Sequence, residues 1–238
     1  MSESAQIPGL VELARRYELA DEQAAALART LAALAAEPDP PTTMRSVPDA
    51  LAGHVADSLA GLAVPELARA ARIADLGAGV GFPGLALAIA LPSAQVDLVE
   101  ASRRRCAVIE RLIGAAELPN ARTLPRRAED LARAKGGRAA YAAVTARALA
   151  PMPVLVEYAA PLLGEQGVLV AWKGRREPVE ERTGERAAAE VGLTPARVIA
   201  VTPFAGAHSR HLHVFTKTTP TPERFPRRPG IAAKRPLG

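Results

Sequence analysis

Ile73-Ala74-Asp75-Leu76-Gly77-Ala78-Gly79-Val80-Gly81-Phe82-Pro83-Gly84 is the stretch that decides the fold. An apolar approach ends in an acid, glycines follow at near-alternate positions, and Leu85–Ala90 then reads as a buried helix. Strand, glycine turn and helix together open a nucleotide-type βαβ unit. Glycine lets the backbone turn sharply and lie against a ligand. Pro83 suits a first helical turn, where its missing N–H is no loss.

Two cofactor classes fit this turn. Gly79-Val80-Gly81-Phe82-Pro83-Gly84 matches GxGxxG, which suggests NAD. Asp75 followed by Gly77, Gly79 and Gly81 gives instead the strand-end acid and GxGxG spacing of sites for S-adenosyl-L-methionine (SAM). A carboxylate at Asp75 suits the cationic methionine end of SAM and would repel a pyrophosphate. The residues favour SAM over NAD, and either over a turn without a ligand.

Downstream, the pattern continues as a doubly wound α/β sheet. A strand over 95–99 ends in Glu100, placed to accept hydrogen bonds from ribose hydroxyls. Ser102 caps a helix over 103–116 that opens with Arg103-Arg104-Arg105. Cations in a first turn oppose the helix dipole, so these three serve an anion better than they serve the helix, unless they are simply solvated. A strand over 121–124 leads to Pro125-Arg126-Arg127-Ala128-Glu129-Asp130. Ligand residues cluster at the carboxyl ends of such strands. Ala128 and Glu129 therefore fall where an adenine edge would sit, and Arg126 and Arg127 point towards substrate. A basic loop over 133–138 follows. The strand over 142–146 ends in Arg147-Ala148, a fork of donors, without the Asn/Asp-Pro-Pro-aromatic motif of enzymes that methylate exocyclic amines. A helix over 153–163, a strand over 168–172 ending in Lys173-Gly174, a charged helix over 178–190 and strands over 198–202 and 211–217 complete the sheet.

Upstream, residues 1–70 read as a helical extension with helices over 5–19, 22–36 and 49–62. The third carries His54, Asp57 and Ser58, and His54 with Asp57 one turn apart reads as a local pair rather than a catalytic dyad. Residues 71–217 form the nucleotide-type domain. From 218 the chain is rich in Pro and Arg and reads as a basic tail, flexible or laid over the surface.

The charge is segregated. Residues 1–100 hold 6 basic and 13 acidic residues, 101–138 hold 10 and 4, and 217–238 hold 6 and 1. Two basic blocks, with 26 of the 30 cations arginine, suit phosphate recognition. No run of about 18 apolar residues appears, so no membrane span is expected. The start of the chain, with Glu3 and no basic region, does not read as a signal peptide. The lone Cys106 fits a reducing cytoplasm. His208, His211 and His213 lack carboxylate or thiolate partners in sequence, so no metal site is expected.

Taken together, the chain resembles the RsmG (GidB) family of small-subunit rRNA guanine-N7 methyltransferases. The likeness is carried by Asp75–Gly84, His54 with Asp57-Ser58, Arg127-Ala128-Glu129, Arg147-Ala148 and Trp172-Lys173-Gly174. It extends to Arg227-Arg228-Pro229-Gly230 and Lys234-Arg235-Pro236-Leu237. Met44-Arg45-Ser46 stands where members carry an Asn-Leu-Thr-like segment, and Leu149 where they carry an aromatic. The resemblance implies a class I SAM-dependent methyltransferase fold with the last strand antiparallel, and methyl transfer to N7 of one guanine of 16S rRNA in the decoding-centre loop. It implies cofactor contacts at Gly77, Phe82, Ala128, Glu129 and Arg147, to which the fold reading adds Asp75, Gly79, Gly81 and Glu100.

Guanine N7 carries a lone pair and no proton, so its methylation requires positioning rather than a general base. Arg147 or Lys173 is expected to orient the base. Arg103, Arg104, Arg105, Arg126 and Arg127 are expected on phosphates, with Arg227, Arg228, Lys234 and Arg235 adding RNA affinity from the tail. The small ribosomal subunit is the expected partner and a monomer the expected state. The rival readings are a methyltransferase for a small molecule, a SAM- or RNA-binding protein without catalysis, and an NAD-binding oxidoreductase, for which no substrate domain is evident.

Overall fold

The computed structural model describes residues 7–238. Seven strands form one sheet: β1 (Arg72–Leu76), β2 (Gln95–Val99), β3 (Ala121–Leu124), β4 (Tyr141–Arg147), β5 (Leu163–Lys173), β6 (Leu193–Val201) and β7 (Arg210–Lys217). Their order is β3-β2-β1-β4-β5-β7-β6. β1 to β5 are parallel, and β7 runs antiparallel to both β5 and β6. The strand order reverses between β1 and β4, and a doubly wound sheet binds its ligand outside the carboxyl ends at that point.

Both faces are covered, so the inner strands are apolar on both sides. On one face Ile73, Leu98 and Val170 pack with Leu85 of α6 (Gly84–Ala90) and Ile109 of α7 (Arg103–Ala116). Leu27 and Leu31 of α2 (Asp21–Ala36) and Leu59 belong to the same core, so the N-terminal helices share it with the sheet. On the other face Ala74, Val144 and Leu169 pack against α8 (Ala128–Arg133), α9 (Met152–Ala159) and α10 (Pro178–Val191). No helix among the described residues is long and apolar enough to cross a membrane.

Several elements differ from the sequence expectation. The first helix, α1, spans Leu10–Arg16, and the expected start at Ala5 lies outside the described residues. The helix expected over 49–62 is broken into α3 (Val47–Ala50), a π-helical stretch Leu51–Ala56, α4 (Asp57–Leu59) and a 3-10 turn Ala60–Ala63; a short helix α5 (Pro65–Ala68) follows. Gly53 lies in the π stretch, where a Cβ would come within 2.3 Å of Met44 Sδ, so the preceding loop packs directly onto its backbone. Single π turns inside helices are frequent at functional sites.

The Pro- and Arg-rich tail is laid over the surface of α8 and α9 and is pinned there. Arg138 donates to the carbonyls of Phe225 and Thr221 at 2.8 and 2.6 Å, and Phe225 is buried in the second core. The tail ends in α11 (Ile231–Lys234).

Candidate active site

The glycine loop is held from below and from behind. Asp75, at the end of β1, is fully buried; its Oδ1 accepts from Thr145 Oγ1 at 2.8 Å and its Oδ2 from the Gly84 amide at 2.9 Å. Burial raises its pKa to about 6, and these two hydrogen bonds and the Arg147 charge limit the rise. Asp75 was expected at the cofactor, but both of its oxygens are turned inward. It fixes the far end of the loop and the start of α6 instead of facing a cavity. Gly77 and Ala78 donate to the Val99 carbonyl at 2.8 and 3.2 Å, and Gly81 donates to the Ala78 carbonyl at 2.7 Å.

Gly77 and Gly79 have φ of +63° and +62°, a region L side chains rarely enter. A Cβ on Gly77 would meet Leu149 Cδ1 at 2.4 Å. A Cβ on Gly79 would meet nothing nearer than the Gly77 carbonyl at 3.8 Å and would project into the cleft.

Three cavities run side by side along this edge of the sheet. The first, about 250 Å³, is lined by Gly77, Glu100, Arg126, Arg127, Ala128, Glu129, Leu149 and Tyr158. The second, about 650 Å³, shares Gly77, Arg105 and Ala148 with it and adds Thr42, Met44, His54, Asp57, Gly79, Phe82, Arg147 and Arg210. The third, about 190 Å³, shares Asp57, Arg147, Ala148 and Arg210 with the second and adds Trp172, Lys173 and His211.

Glu100, buried at the end of β2, accepts from the Gly79 amide at 3.0 Å and the Ser102 amide at 2.8 Å. Each carboxylate oxygen keeps acceptor capacity for a second donor. Glu129 accepts from the Gly230 amide at 2.9 Å.

Arg147, the last residue of β4, organises the second cavity. Its Nη1 donates to Asp57 Oδ2 at 2.8 Å and to the Gly53 carbonyl at 3.0 Å. Its Nη2 donates to His54 Nδ1 at 3.1 Å and to the Phe82 carbonyl at 3.4 Å. A guanidinium only donates, so Nδ1 of His54 is the acceptor and Nε2 carries the ring proton towards Thr42 Oγ1, 2.8 Å away. Burial and the Arg147 charge hold the His54 pKa down at about 4. The neutral ring stacks on Phe82 with centroids 5.0 Å apart. His54 and Asp57 thus meet through Arg147 rather than through each other. The guanidinium expected to orient a guanine already has both terminal nitrogens engaged, and among the described residues only its Nε is left without an acceptor.

Lys173 is similarly engaged, donating to Glu180 Oε1 at 2.5 Å and the Ala150 carbonyl at 3.1 Å. Arg210 was not singled out in the sequence. It is the first residue of β7, and because β7 is antiparallel its start reaches the edge where the parallel strands end. Its Nε lies 3.9 Å from Asp57 Oδ1, a buried oxygen with no hydrogen-bond partner among the described residues. The antiparallel last strand was the signal that could have found it.

The basic residues divide into free and committed groups. Arg103, Arg126, Arg127, Arg228, Lys234 and Arg235 are exposed. Arg104 pairs with Asp39, and Arg105 Nη1 lies 3.7 Å from Glu100. Arg227, expected on RNA, instead forms a fork on Glu157, with Nε at 2.9 and 3.0 Å and Nη2 at 2.5 Å. Among the described residues no group of three or more His, Cys, Asp or Glu could hold a metal ion.

The chain is 42% identical over 186 residues to the ribosomal RNA small subunit methyltransferase G of Chloroflexus aggregans, covering 77% of this chain and 76% of that one. It is 40% identical over 187 residues to the protein of the same name from Rubrobacter xylanophilus, covering 77% and 72%. Its fold matches a SAM-dependent O-methyltransferase from Thermotoga maritima with a TM-score of 0.50 and 17% identity, over 64% of this chain and 61% of that one. The architecture is that of the class I SAM-dependent methyltransferases. Residues 40–212, which carry the π turn, the glycine loop, Arg147 and Arg210, match GidB, rRNA small subunit methyltransferase G, and the chain belongs to that family.

Proposed function

We propose that this protein uses S-adenosyl-L-methionine to methylate N7 of a single guanine in 16S rRNA, in the decoding-centre loop of the small ribosomal subunit. The observation that carries the reading is the engagement of His54. Its Nδ1 is taken by Arg147, its Nε2 proton is directed to Thr42, and burial keeps the ring neutral. The group best suited by type to remove a proton is thus occupied with structure. Guanine N7 has no proton to remove, so a site that positions rather than deprotonates suits it.

The cleft fits the cofactor. Gly79 opens onto it without a Cβ, Glu100 and Glu129 retain acceptor capacity at its polar rim, and Ala128, Leu149 and Tyr158 give an apolar wall for a purine. When bound, SAM supplies an electrophilic sulfonium methyl group. Gly77, Phe82 and Glu100 would hold it, with Ala128 and Glu129 at the adenine end. Arg147 keeps Phe82, His54 and the loop around Gly53 in one arrangement. Arg210, set by Asp57 at the junction of the second and third cavities, offers its donors to guanine O6 and leaves N7 free. Exposed Arg126 and Arg127 on the rim, with Arg103 at the start of α7, suit phosphates flanking an unstacked base. The reading places the enzyme in the cytoplasm with the subunits it modifies.

The test is transfer of labelled methyl from SAM to small subunits lacking the modification, with the product mapped by chemical cleavage at N7-methylguanine. Label at one guanine is expected, and its loss in Arg210→Ala with SAM binding retained. SAM binding without transfer to any RNA would overturn the rRNA reading in favour of a small-molecule acceptor.

A further inference from the structure

We propose that the C-terminal arm is a brace that sets the position of Glu129 in the cofactor cleft, anchored by the Glu157–Arg227 pair. The proposal rests on the cofactor reading above. Glu129 stands in the first turn of α8, a helix of six residues with no side-chain cap. A helix that short is held by tertiary contacts rather than by its own propensity. Its apolar residues reach the core, but its two polar ends are held by the arm. The Gly230 amide donates to Glu129 Oε1 at 2.9 Å. At the other end Arg133 donates to the Pro226 carbonyl at 2.6 Å.

The arm is anchored in turn to α9. Glu157 is 1% exposed, and its two oxygens accept from the Arg227 backbone amide at 3.1 Å and from the Arg227 guanidinium at 2.5 to 3.0 Å. A buried carboxylate needs a partner that meets it with good geometry. Among the described residues all of its side-chain hydrogen bonds come from a single arm residue. Tyr158, the next residue of α9, lines the same cavity as Glu129. The arm therefore fastens together the two helices that form one wall of the cleft. A Glu129 side chain already held by Gly230 has fewer rotamers to lose when a ligand arrives, so loss of the brace falls on cofactor affinity rather than on turnover at saturation.

The experiment compares wild type, Arg227→Ala, Arg227→Lys and Glu157→Gln by calorimetric titration with SAM, by hydrogen exchange, and by the KM for SAM against kcat. Arg227→Ala is expected to weaken SAM about tenfold, the loss of one well-placed interaction. Amides 128–133 should exchange faster while those of β1 and β4 do not, and kcat at saturating SAM should stay within about twofold. Arg227→Lys keeps the charge without the fork and is expected to lie between. Glu157→Gln preserves the shape of the site and carries the test where the alanine variant does not fold. A folded variant that binds SAM as wild type does, with exchange of α8 unchanged, would overturn the brace, as would loss of RNA binding alone. Wild-type protein that binds no SAM would overturn the cofactor reading as well, whereas intact wild-type binding leaves only the brace at stake.

Discussion

Arg147 Nη1 lies 2.8 Å from Asp57 Oδ2, joining the carboxyl end of β4 to the broken helix laid across it. Both side chains are largely buried, and the same guanidinium reaches Gly53, His54 and Phe82. This one contact set connects the N-terminal helices, the glycine loop and the sheet.

Arg147→Ala leaves Asp57 as a buried carboxylate without that partner, and breaking such a pair costs about 3–5 kcal/mol. Urea unfolding is expected to show that loss. Arg147→Lys retains a charge that cannot span Asp57, Gly53 and His54 together. It should recover much of the stability and little of the methyl transfer, measured on small subunits.

Two buried groups titrate with opposite sign. His54 has its pKa lowered to about 4, so the unfolded chain binds its proton first and stability falls as pH drops from about 6.5 to 4. Asp75 has its pKa raised to about 6, so the folded chain holds its proton longer and stability falls as pH rises from about 4 to 6. The two contributions oppose each other across that interval. Asp75→Asn removes the second, and the unfolding midpoint of that variant should rise more steeply with pH between 4 and 6 than that of wild type. A parallel profile would show that Asp75 does not hold its proton longer in the folded chain than in the unfolded one.

Gly77→Ala meets two obstacles, a φ of +63° and a Cβ 2.4 Å from Leu149 Cδ1. The φ strain is about 1 kcal/mol and cannot be relieved by repacking, whereas Leu149 can turn aside. Leu149→Ala in the Gly77→Ala background should therefore restore only part of the SAM affinity, read by calorimetry as a double-mutant cycle.

Lys217 is buried and donates to the Ala160 and Val191 carbonyls at 3.0 and 3.1 Å, at the C-terminal ends of α9 and α10. A cation there offsets the negative ends of two helices. Burial and nearby Arg138 hold its pKa down at about 8. Lys217→Met leaves the Ala160 carbonyl without its donor, while the Thr221 hydroxyl still donates to Val191 at 2.7 Å, for a loss of about 1–3 kcal/mol in thermal or urea unfolding. SAM binding, at the opposite edge of the sheet, should not change.

Where short-range signals exist, the sequence was readable. Asp75 to Gly84 announced strand, turn and helix, and α7 runs from Arg103 to Ala116 as its cap and periodicity require. Glu100, Ala128 and Glu129 line the expected cavity because strand ends in a doubly wound sheet share one edge. Signals that depend on distant partners were not readable. The strand expected over 168–172 begins instead at Leu163, where β5 pairs with Tyr141. β6 begins before Pro195, which an edge strand with a register shift there can accept. The six residues of α8 carry too little periodicity to declare a helix, and its ends are fixed by residues about a hundred positions away. Composition left the tail open between flexible and laid over the surface, because the acids and arginines that grip it lie in other elements. Arg210 escaped notice for the same reason, since only the direction of β7 brings it to the cleft.

The arm also sets an order in time. Glu129 is synthesised 101 residues before Gly230, the residue whose amide it receives. Until those further codons have been read, α8 lacks both of its fastenings, at Pro226 and Gly230. All seven strands precede the arm in the chain, so on the translating ribosome the sheet is made before its own cleft wall can be finished. A message cut between codons 218 and 225 would therefore yield a chain with every strand in place and a slack binding site.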